Sequence, residues 1–251
     1  MKINKKLAPV ISLKASKQLS AELLEKTLRK QVNPAKAELF KIFFKTGPGQ
    51  YGEGDRFLGL SVGQVRSAAA KFSLNLKELS KVLRSPFHEV RLAGVLLLVE
   101  SYGKADNVGR EKIFNFYMTR SKYINNWDLV DSSAHQIAGR HLENKNRSAL
   151  YRFAQSKNLW QRRIAIVSTL HQIRAGCFSD TLKISEILLK DKHDLIHKAC
   201  GWMLREADKR KAGAIDGFLK KHQARMPRTM LRYAIERFSE PKRKKILAGD
   251  F

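Results

Sequence analysis

The segment 125–133 places an aromatic and an acidic side chain at a spacing that could do chemistry. It reads Asn-Asn-Trp-Asp-Leu-Val-Asp-Ser-Ser, and because Trp127 and Asp131 are four residues apart, they share one face of a helix. An indole beside a carboxylate is unexpected on a surface that only holds polyanions, because a lone carboxylate repels phosphate. The alternative is an acidic residue favoured by the dipole of a helix N-terminus, which fits Asp128 better than Asp131.

The net charge of the chain makes polyanions its expected partners. Its 251 residues include 49 Lys and Arg against 23 Asp and Glu, a formal net charge of +26. A field of this sign favours nucleic acid first and an acidic membrane surface second. No apolar run reaches the roughly 20 residues of a membrane span, and no secretory signal is recognisable, so we expect a cytoplasmic protein.

Several common site types are not expected from the motifs. Gly47-Pro-Gly-Gln-Tyr-Gly52 matches G-x-G-x-x-G, but residues 40–45 before it have a helical pattern, whereas a dinucleotide site needs a strand there. We therefore interpret 47–55 as a structured loop whose Tyr51, Glu53 and Asp55 could line a binding surface. Two cysteines and seven scattered histidines give neither a disulfide framework nor ligand spacing for a metal.

The elements that must position these residues have a helical pattern almost throughout. Ser20 and Asn33-Pro34 are typical helix starts, and no convincing period-two alternation indicates a strand. After the loop, the pattern predicts helices at about 62–72, 75–84, 87–102, 108–119, 126–141, 146–156, 159–173, 180–190, 194–207, 210–223 and 227–238.

The predicted helices form pairs that repeat along the chain. Arg163 and Lys198 are 35 residues apart, Lys198 and Arg232 are 34 apart, and Arg91 precedes Arg163 by 72 residues, or two periods. A helix-pair period in this range is typical of an α-solenoid. The same step predicts a row of cations on the inner helices that could follow a phosphate backbone. The alternative is that these cations are merely solvated.

Two further motifs contain aromatic and basic residues. Trp160 and Trp202 are at predicted repeat boundaries, where Trp usually belongs to the core, but Gly201 would allow another group to approach Trp202 closely. In the run 226–236, Arg228 and Arg232 are one helical turn apart on the same face.

Four ordered runs carry a family resemblance: NNWDLVDSS (125–133), LWQRR (159–163), HKACGWMLREA (197–207) and MPRTMLRYAIERF (226–238). Together they closely resemble the bacterial DNA alkylation repair enzymes of the HEAT-like-repeat DNA glycosylase family, from about residue 20 onward. The resemblance implies an all-α fold, a right-handed α-solenoid of HEAT-like helix pairs whose concave basic face cradles duplex DNA. It also implies excision of positively charged N3- or N7-alkylated purines in base excision repair, without base flipping.

The resemblance also implies roles for individual residues. Asp131 matches the catalytic carboxylate, Trp127 and Trp202 match two tryptophans beside the sugar of the lesion, and Arg163 matches an arginine at the pocket edge. Arg162 is the alternative in that register. The DNA-binding residues we expect are Arg91, Arg162, Lys198, Arg205, Arg228 and Arg232. The chemistry implied needs neither metal nor cofactor, and the partner is alkylated duplex DNA bound by a monomer associated with the nucleoid.

Two other classes of function stay open at this stage. The loop 47–60 departs from the active branch of the family, which leaves a non-catalytic HEAT-repeat module that binds nucleic acid as the main alternative. A scaffold that meets an acidic protein partner is the third. We expect an N-terminal tail at 1–19 and a single HEAT-like-repeat domain at 20–251, and we expect Asp128, off the face of Asp131, to be dispensable for activity.

Overall fold

The computed structural model describes residues 19–250, and over this range the all-α prediction is confirmed. The described residues form helices, turns and one isolated bridge between Arg56 and Phe87, with no strand among them. The α-helices are α1 (Ala21–Arg29), α2 (Pro34–Phe43), α3 (Val62–Ala69), α4 (Leu76–Val82), α5 (His88–Lys104), α6 (Asn107–Thr119), α7 (Trp127–Asp131), α8 (Ser148–Ala154), α9 (Leu159–Ser168), α10 (Leu170–Arg174), α11 (Ser179–Ile187), α12 (Asp194–Arg210), α13 (Asp216–His222), α14 (Arg228–Ala234) and α15 (Glu240–Ala248).

Side-chain caps fix where several helices begin. The Ser20 hydroxyl accepts a hydrogen bond from the Leu23 amide, and the Asn33 side chain accepts one from Lys36 ahead of Pro34. These contacts satisfy amide groups that have no partner within the first helical turn. The two helix starts recognised in the sequence are therefore confirmed, and α2 is held in the orientation that places its C-terminal end beside α7.

Five helices contact one another in chain order and form the scaffold of the site. α5 contacts α7, α7 contacts α9, α9 contacts α12, and α12 contacts α14. These are the second members of the repeating pairs in the sequence, and stacking buries the apolar faces that a single pair leaves open. One contiguous core runs along them, from Ala21 to Ile246. The handedness of a solenoid and the division at residue 20 stay predictions.

The helix prediction for 126–141 was wrong in extent. The segment 126–141 is not one helix: α7 ends at Asp131, and a π-helical turn, His135–Gly139, follows. Gly139 permits this, because a Cβ there would lie 2.3 Å from the Ser168 carbonyl oxygen. The basic C-terminal run forms α15, which packs on the core through buried Ile246.

The loop between α2 and α3 is docked on α5 by a buried carboxylate. Glu89 accepts hydrogen bonds from the backbone amides of Leu58, Gly59 and Leu60, at 2.8 to 3.1 Å. Gly59 has φ +77°, and a Cβ at this position would lie 2.1 Å from the Asn33 carbonyl oxygen. The end of the loop is therefore fixed against both α2 and α5.

Along residues 19–250, no helix combines the length and apolar character needed to cross a bilayer.

Candidate functional site

One open pocket of about 560 Å³ brings together several of the residues singled out in the sequence. α7 supplies Trp127 and Asp131, α9 supplies Arg163, and α12 supplies Lys198, Trp202 and Arg205. The other lining residues are Phe43, Lys45, Tyr51, His193, Asp194, Leu195 and Tyr233. Groups that are far apart in the chain thus meet because α7, α9 and α12 pack side by side.

Asp131 and Arg163 form a two-pronged ion pair at the pocket wall. Arg163 Nε donates to Asp131 Oδ1 at 2.9 Å and Nη2 donates to Oδ2 at 2.8 Å, while Nη1 donates to the Leu195 carbonyl at 2.5 Å. A planar guanidinium fits a carboxylate in this way and fixes its orientation. The Asp131 side chain is still 21% exposed, so the carboxylate faces both the arginine and the pocket.

Burial sets the protonation equilibrium of this carboxylate. Desolvation raises the pKa of Asp131 above the ordinary aspartate value, although the charge and hydrogen bonds of Arg163 act in the opposite direction. Asp131 is therefore a carboxylate that is held less acidic than a free one, beside a fixed positive charge.

A column of aromatic rings supports Trp127 from behind. Phe57 stacks on Phe44 at a centroid distance of 5.1 Å, and Phe44 stacks on Trp127 at 5.6 Å. Phe44 and Phe57 are buried, whereas Trp127 is partly exposed in the pocket. The indole is thus braced on its inner side and open on its outer side.

The loop between α2 and α3 adds a tyrosine to the same pocket. The Tyr51 ring lies 6.0 Å from that of Trp160 and 6.4 Å from that of His193, between centroids. Burial raises the pKa of Tyr51, and a hydrogen bond with the Trp127 side chain lowers it. Since an indole N–H can only donate, the Tyr51 hydroxyl accepts this bond. The loop therefore forms part of the pocket wall.

Trp202 reaches the pocket from a tight helix crossing. A Cβ at the neighbouring Gly201 would lie 2.4 Å from the Tyr233 Cβ and 2.6 Å from the Met230 carbonyl oxygen. The close approach expected from Gly201 is thus that of α14. Trp160, in contrast, is a buried core residue.

Beneath α7 lies a buried cluster of four charged groups. His88 Nε2 lies 2.7 Å from Asp128 Oδ2, His88 Nδ1 lies 3.5 Å from Asp55 Oδ2, and Arg91 Nη2 donates to Asp55 Oδ1 at 2.6 Å. Burial alone would lower the pKa of His88, but the charge and hydrogen bond of Asp128, together with Asp55, raise it to about 9. His88 is therefore a cation at neutral pH and ties α7 to α5.

Comparison with known proteins agrees with this architecture. A profile of the DNA alkylation repair enzyme family matches residues 24–238. The chain belongs to the DNA alkylation repair enzyme family. A solved structure described as a predicted DNA alkylation repair enzyme from Enterococcus faecalis superposes with a TM-score of 0.62. It is 15% identical, over 83% of this chain and 97% of that one, so it shows likeness of fold. A search of the curated proteins returned no match.

Within this DNA alkylation repair protein, the two adjacent arginines of α9 have different surroundings. Arg163 lines the pocket with Asp131, whereas Arg162 binds Asp191 through Nε at 2.5 Å and donates to the Ser156 and Lys157 carbonyls. Of the two, Arg163 lines this pocket, and its role at the pocket edge stays a prediction. The guanidinium of Arg162 is used to tie α9 to the start of α12.

The expected row of cations needs a correction at its first member. Arg91 is buried, pairs with Asp55 and donates to the Ser85 carbonyl at 3.0 Å, so its guanidinium is enclosed rather than displayed to a backbone. Asp55 is buried with it and does not line the open surface that the sequence suggested. Charge alone could not distinguish these residues, because a buried pair and a surface cation look alike in a sequence.

The remaining basic residues are distributed around and beyond the pocket. Lys198 and Arg205 line it, with Lys198 paired to Asp194 at 2.7 Å and Arg205 paired to Glu236. Arg228 and Arg232 are exposed on α14, and Arg228 donates to the Leu247 carbonyl. Lys198, Arg205, Arg228 and Arg232 therefore stay candidates for phosphate contacts.

Sequence reasoning missed several lining residues. Phe43 and Lys45 lie at the end of α2, and Lys45 has a left-handed backbone with φ +52°, which is rare outside glycine. Only their position before the glycine-rich loop could have indicated them. The start of α12 also lines the pocket, through His193, Asp194 and Leu195, and Arg163 donates a hydrogen bond to the Leu195 carbonyl there.

Among residues 19–250, no group of three or more His, Cys, Asp or Glu side chains could hold a metal ion.

Proposed function

We propose that the protein is a monofunctional DNA glycosylase that excises positively charged N3- and N7-alkylated purines from duplex DNA, without flipping the base into a deep pocket. Membership of the DNA alkylation repair family supports a repair role. The observation that carries the finer proposal is the convergence of Asp131, Trp127, Trp202 and Arg163 on one open pocket.

The proposed chemistry follows from the charge of the lesion. A cationic alkylpurine leaves without protonation by a general acid, and breaking its N-glycosidic bond builds positive charge on the deoxyribose. A carboxylate fixed in place before the reaction stabilises that charge and can orient the attacking water. Each carboxylate oxygen has two lone pairs, and Arg163 occupies one on each, so Asp131 keeps acceptor positions toward the pocket. The reaction needs neither metal nor cofactor.

The two pocket tryptophans have a role beside the sugar. The open face of Trp127 and the ring of Trp202 supply apolar surface for a deoxyribose, and the faces of indoles favour cations. Lys198, Arg205, Arg228 and Arg232 would contact phosphates on either side. In this proposal one monomer holds one duplex on its basic concave face.

The experiment is release of free 7-methylguanine or 3-methyladenine from methylated duplex DNA under single-turnover conditions. We expect excision by the wild type and a loss of about 10² to 10³ in rate for Asp131→Asn, since one preorganised electrostatic contact is removed. Asp194→Asn is the matched control, because it neutralises a carboxylate of the same pocket that pairs with exposed Lys198; it should keep most of the rate. No release by the wild type contradicts the proposal.

A specific observation keeps a non-catalytic nucleic-acid-binding module as the second candidate. Both oxygens of Asp131 already bind Arg163, an arrangement that would also serve a carboxylate whose only role is to hold α7 and α9 together. That function predicts tight binding of duplex DNA with no base release by the wild type. The release assay run beside a binding assay therefore separates the two candidates.

A further inference from the structure

An exposed phenylalanine stands at the mouth of the pocket and has no part in the proposed chemistry. Phe43 is 61% exposed, yet it lines the pocket together with Asp131 and Trp127. It also lines an adjoining, mainly apolar hollow of about 380 Å³, which shares Trp127 and Asp131 as walls. A large apolar side chain in this position needs an explanation, because nothing in residues 19–250 covers it.

The ring of Phe43 is held in place rather than free to fold back into the core. It packs at near right angles to Phe44, with centroids 4.9 Å apart, and at 66° to Trp127, 5.9 Å away. Phe44 belongs to the buried column on Phe57, and α2 ends at Phe43 before the left-handed residue Lys45. The aromatic ring is therefore presented outward by a rigid support.

The surroundings of Phe43 combine apolar side chains with positive charge. Leu39 and Ile42 on the same helix are 63% and 77% exposed, and Lys45 lines the pocket directly after α2. In a chain of net charge +26, this surface fits a ligand with apolar flat faces between anionic groups. Duplex DNA has this combination, because its base faces and sugars lie between phosphates, and apolar wedges that enter base steps are common in DNA-binding proteins.

We propose that Phe43 contacts the bases of bound duplex DNA by stacking on a base face that damage has uncovered, next to the deoxyribose held by Trp127. This inference rests on the proposed function for its partner, duplex DNA. An undamaged step offers no open base face, whereas a step that has lost or loosened a base does. Phe43 would therefore give preference for damaged DNA, while the lysines and arginines give affinity for any duplex.

The experiment compares binding of two duplexes that differ at one position. One is intact, and the other has a tetrahydrofuran abasic analogue that uncovers two base faces. Fluorescence anisotropy gives the affinity of the wild type and of Phe43→Ala, Phe43→Leu and Phe43→Trp for both. The matched control is Val108→Ala, which truncates an apolar side chain that is 62% exposed on α6 and does not line the pocket.

We expect the wild type and Phe43→Trp to prefer the abasic duplex, and Phe43→Ala to lose roughly 5- to 150-fold of that preference, the range measured for base–aromatic stacking. Phe43→Leu should lose most of the preference for the abasic duplex, because an aliphatic side chain has no aromatic face to stack on a base. Affinity for the intact duplex and its salt dependence should change little, since Phe43 bears no charge.

Three results would overturn the inference. In the first, the wild type binds both duplexes equally. In the second, Phe43→Ala keeps the full preference for the abasic duplex. In the third, Phe43→Ala converts a dimer into a monomer in sedimentation without changing DNA binding, so that α2 contacts a second copy. None of these three results contradicts base release in the excision assay, so the proposed function would stand. If the protein binds no duplex DNA at all, the proposed function is contradicted as well.

Discussion

Arg163 gives Asp131 two roles in the folded protein. It orients the carboxylate toward the pocket, and it is itself nearly buried, so it depends on Asp131 for its countercharge. Removing the charge of Asp131 leaves a buried guanidinium with a weaker partner. We therefore expect Asp131→Asn to unfold at a lower temperature than the wild type. The sequence does not indicate this second role, because the pairing with Arg163 is tertiary.

Because Asp131 also stabilises the fold through Arg163, the excision rate of Asp131→Asn must be measured on folded protein. The single-turnover comparison is made at a temperature where circular dichroism shows both proteins fully folded, so unfolding cannot imitate a loss of chemistry. Asp128 is not the neutral control that its sequence position suggested, because it pairs with buried His88. Asp194→Asn replaces it. A rate loss that follows the unfolded fraction would assign Asp131 to structure alone.

The pH dependence of excision should report the ionisation of Asp131. Its pKa is raised by burial and only its ionised form stabilises a sugar cation, so excision should fall as the pH falls through that raised pKa. The measurement is the single-turnover rate from pH 4 to 8 with the DNA saturated by protein. In Asp131→Asn the residual rate should lack this acid limb. An identical acid limb in both proteins would assign the titration to another group.

At the scale of elements, His88 makes the attachment of α7 to α5 sensitive to pH. Its pKa is about 9 in the folded protein against about 6.5 in an unfolded chain. Because the folded value is raised, the stabilisation is complete below about pH 6.5 and is lost as the pH rises through 9. The groups that face it are Asp128, Asp55 and Arg91.

We therefore expect the free energy of unfolding to fall by about 3 kcal/mol between pH 6.5 and 9.5, from 1.36 kcal/mol per pKa unit. Urea denaturation at both pH values measures it. His88→Gln, which cannot titrate, should lose most of this pH dependence even if it starts from a lower stability. Equal slopes in both proteins would show that other groups dominate.

The loop that carries Tyr51 depends more on Gly59 than on Gly54. Gly59 and Gly54 both have a left-handed backbone, but only at Gly59 would a Cβ strike a neighbour, the Asn33 carbonyl and the Ala37 amide of α2. Gly59→Ala should lower the free energy of unfolding by more than the roughly 1 kcal/mol that strain alone costs at Gly54→Ala. Denaturant midpoints of the two variants give the difference. Equal midpoints would mean that α2 shifts freely.

How far the elements could be predicted depends on what fixes each of them. The caps at Ser20 and Asn33 are local, so the sequence suffices for α1 and α2. The π-helical turn after α7 packs closely against α9 at Gly139, and α15 packs on the core through Ile246. These contacts join residues distant in the chain, and local patterns do not record them.

At the scale of the molecule, the charge should dominate binding to DNA. The net charge is +26, but Arg91, Arg162 and Arg163 are engaged with Asp55, Asp191 and Asp131, so the phosphate contacts must come from other cations. If six to ten phosphates are contacted, the affinity for duplex DNA should fall by about 10³ to 10⁵ between 50 and 200 mM salt. Titration at several salt concentrations tests this. An affinity that does not change with salt would contradict a backbone-binding surface.

The candidate site was predictable because its residues lie within short motifs, and the rest of the pocket was not. Trp127, Asp131, Arg163 and Trp202 all lie in runs that resemble the family, and they line one pocket. Phe43 and Lys45 lie outside those runs and reach it only through the packing of α2. A single sequence contains no signal for such tertiary contacts, because the residues of one segment do not indicate which distant segment packs against it.

The placement of the three tryptophans makes the protein its own optical reporter. Two of them, Trp127 and Trp202, line the pocket, and the third, Trp160, contacts Tyr51 of the same pocket. Since every indole of the chain lies in or against this site, the intrinsic emission describes the pocket rather than the whole chain. The tryptophan emission of the unlabelled wild type can therefore follow in real time how a ligand enters the pocket. The rate of binding is then measured separately from the rate of any later bond cleavage.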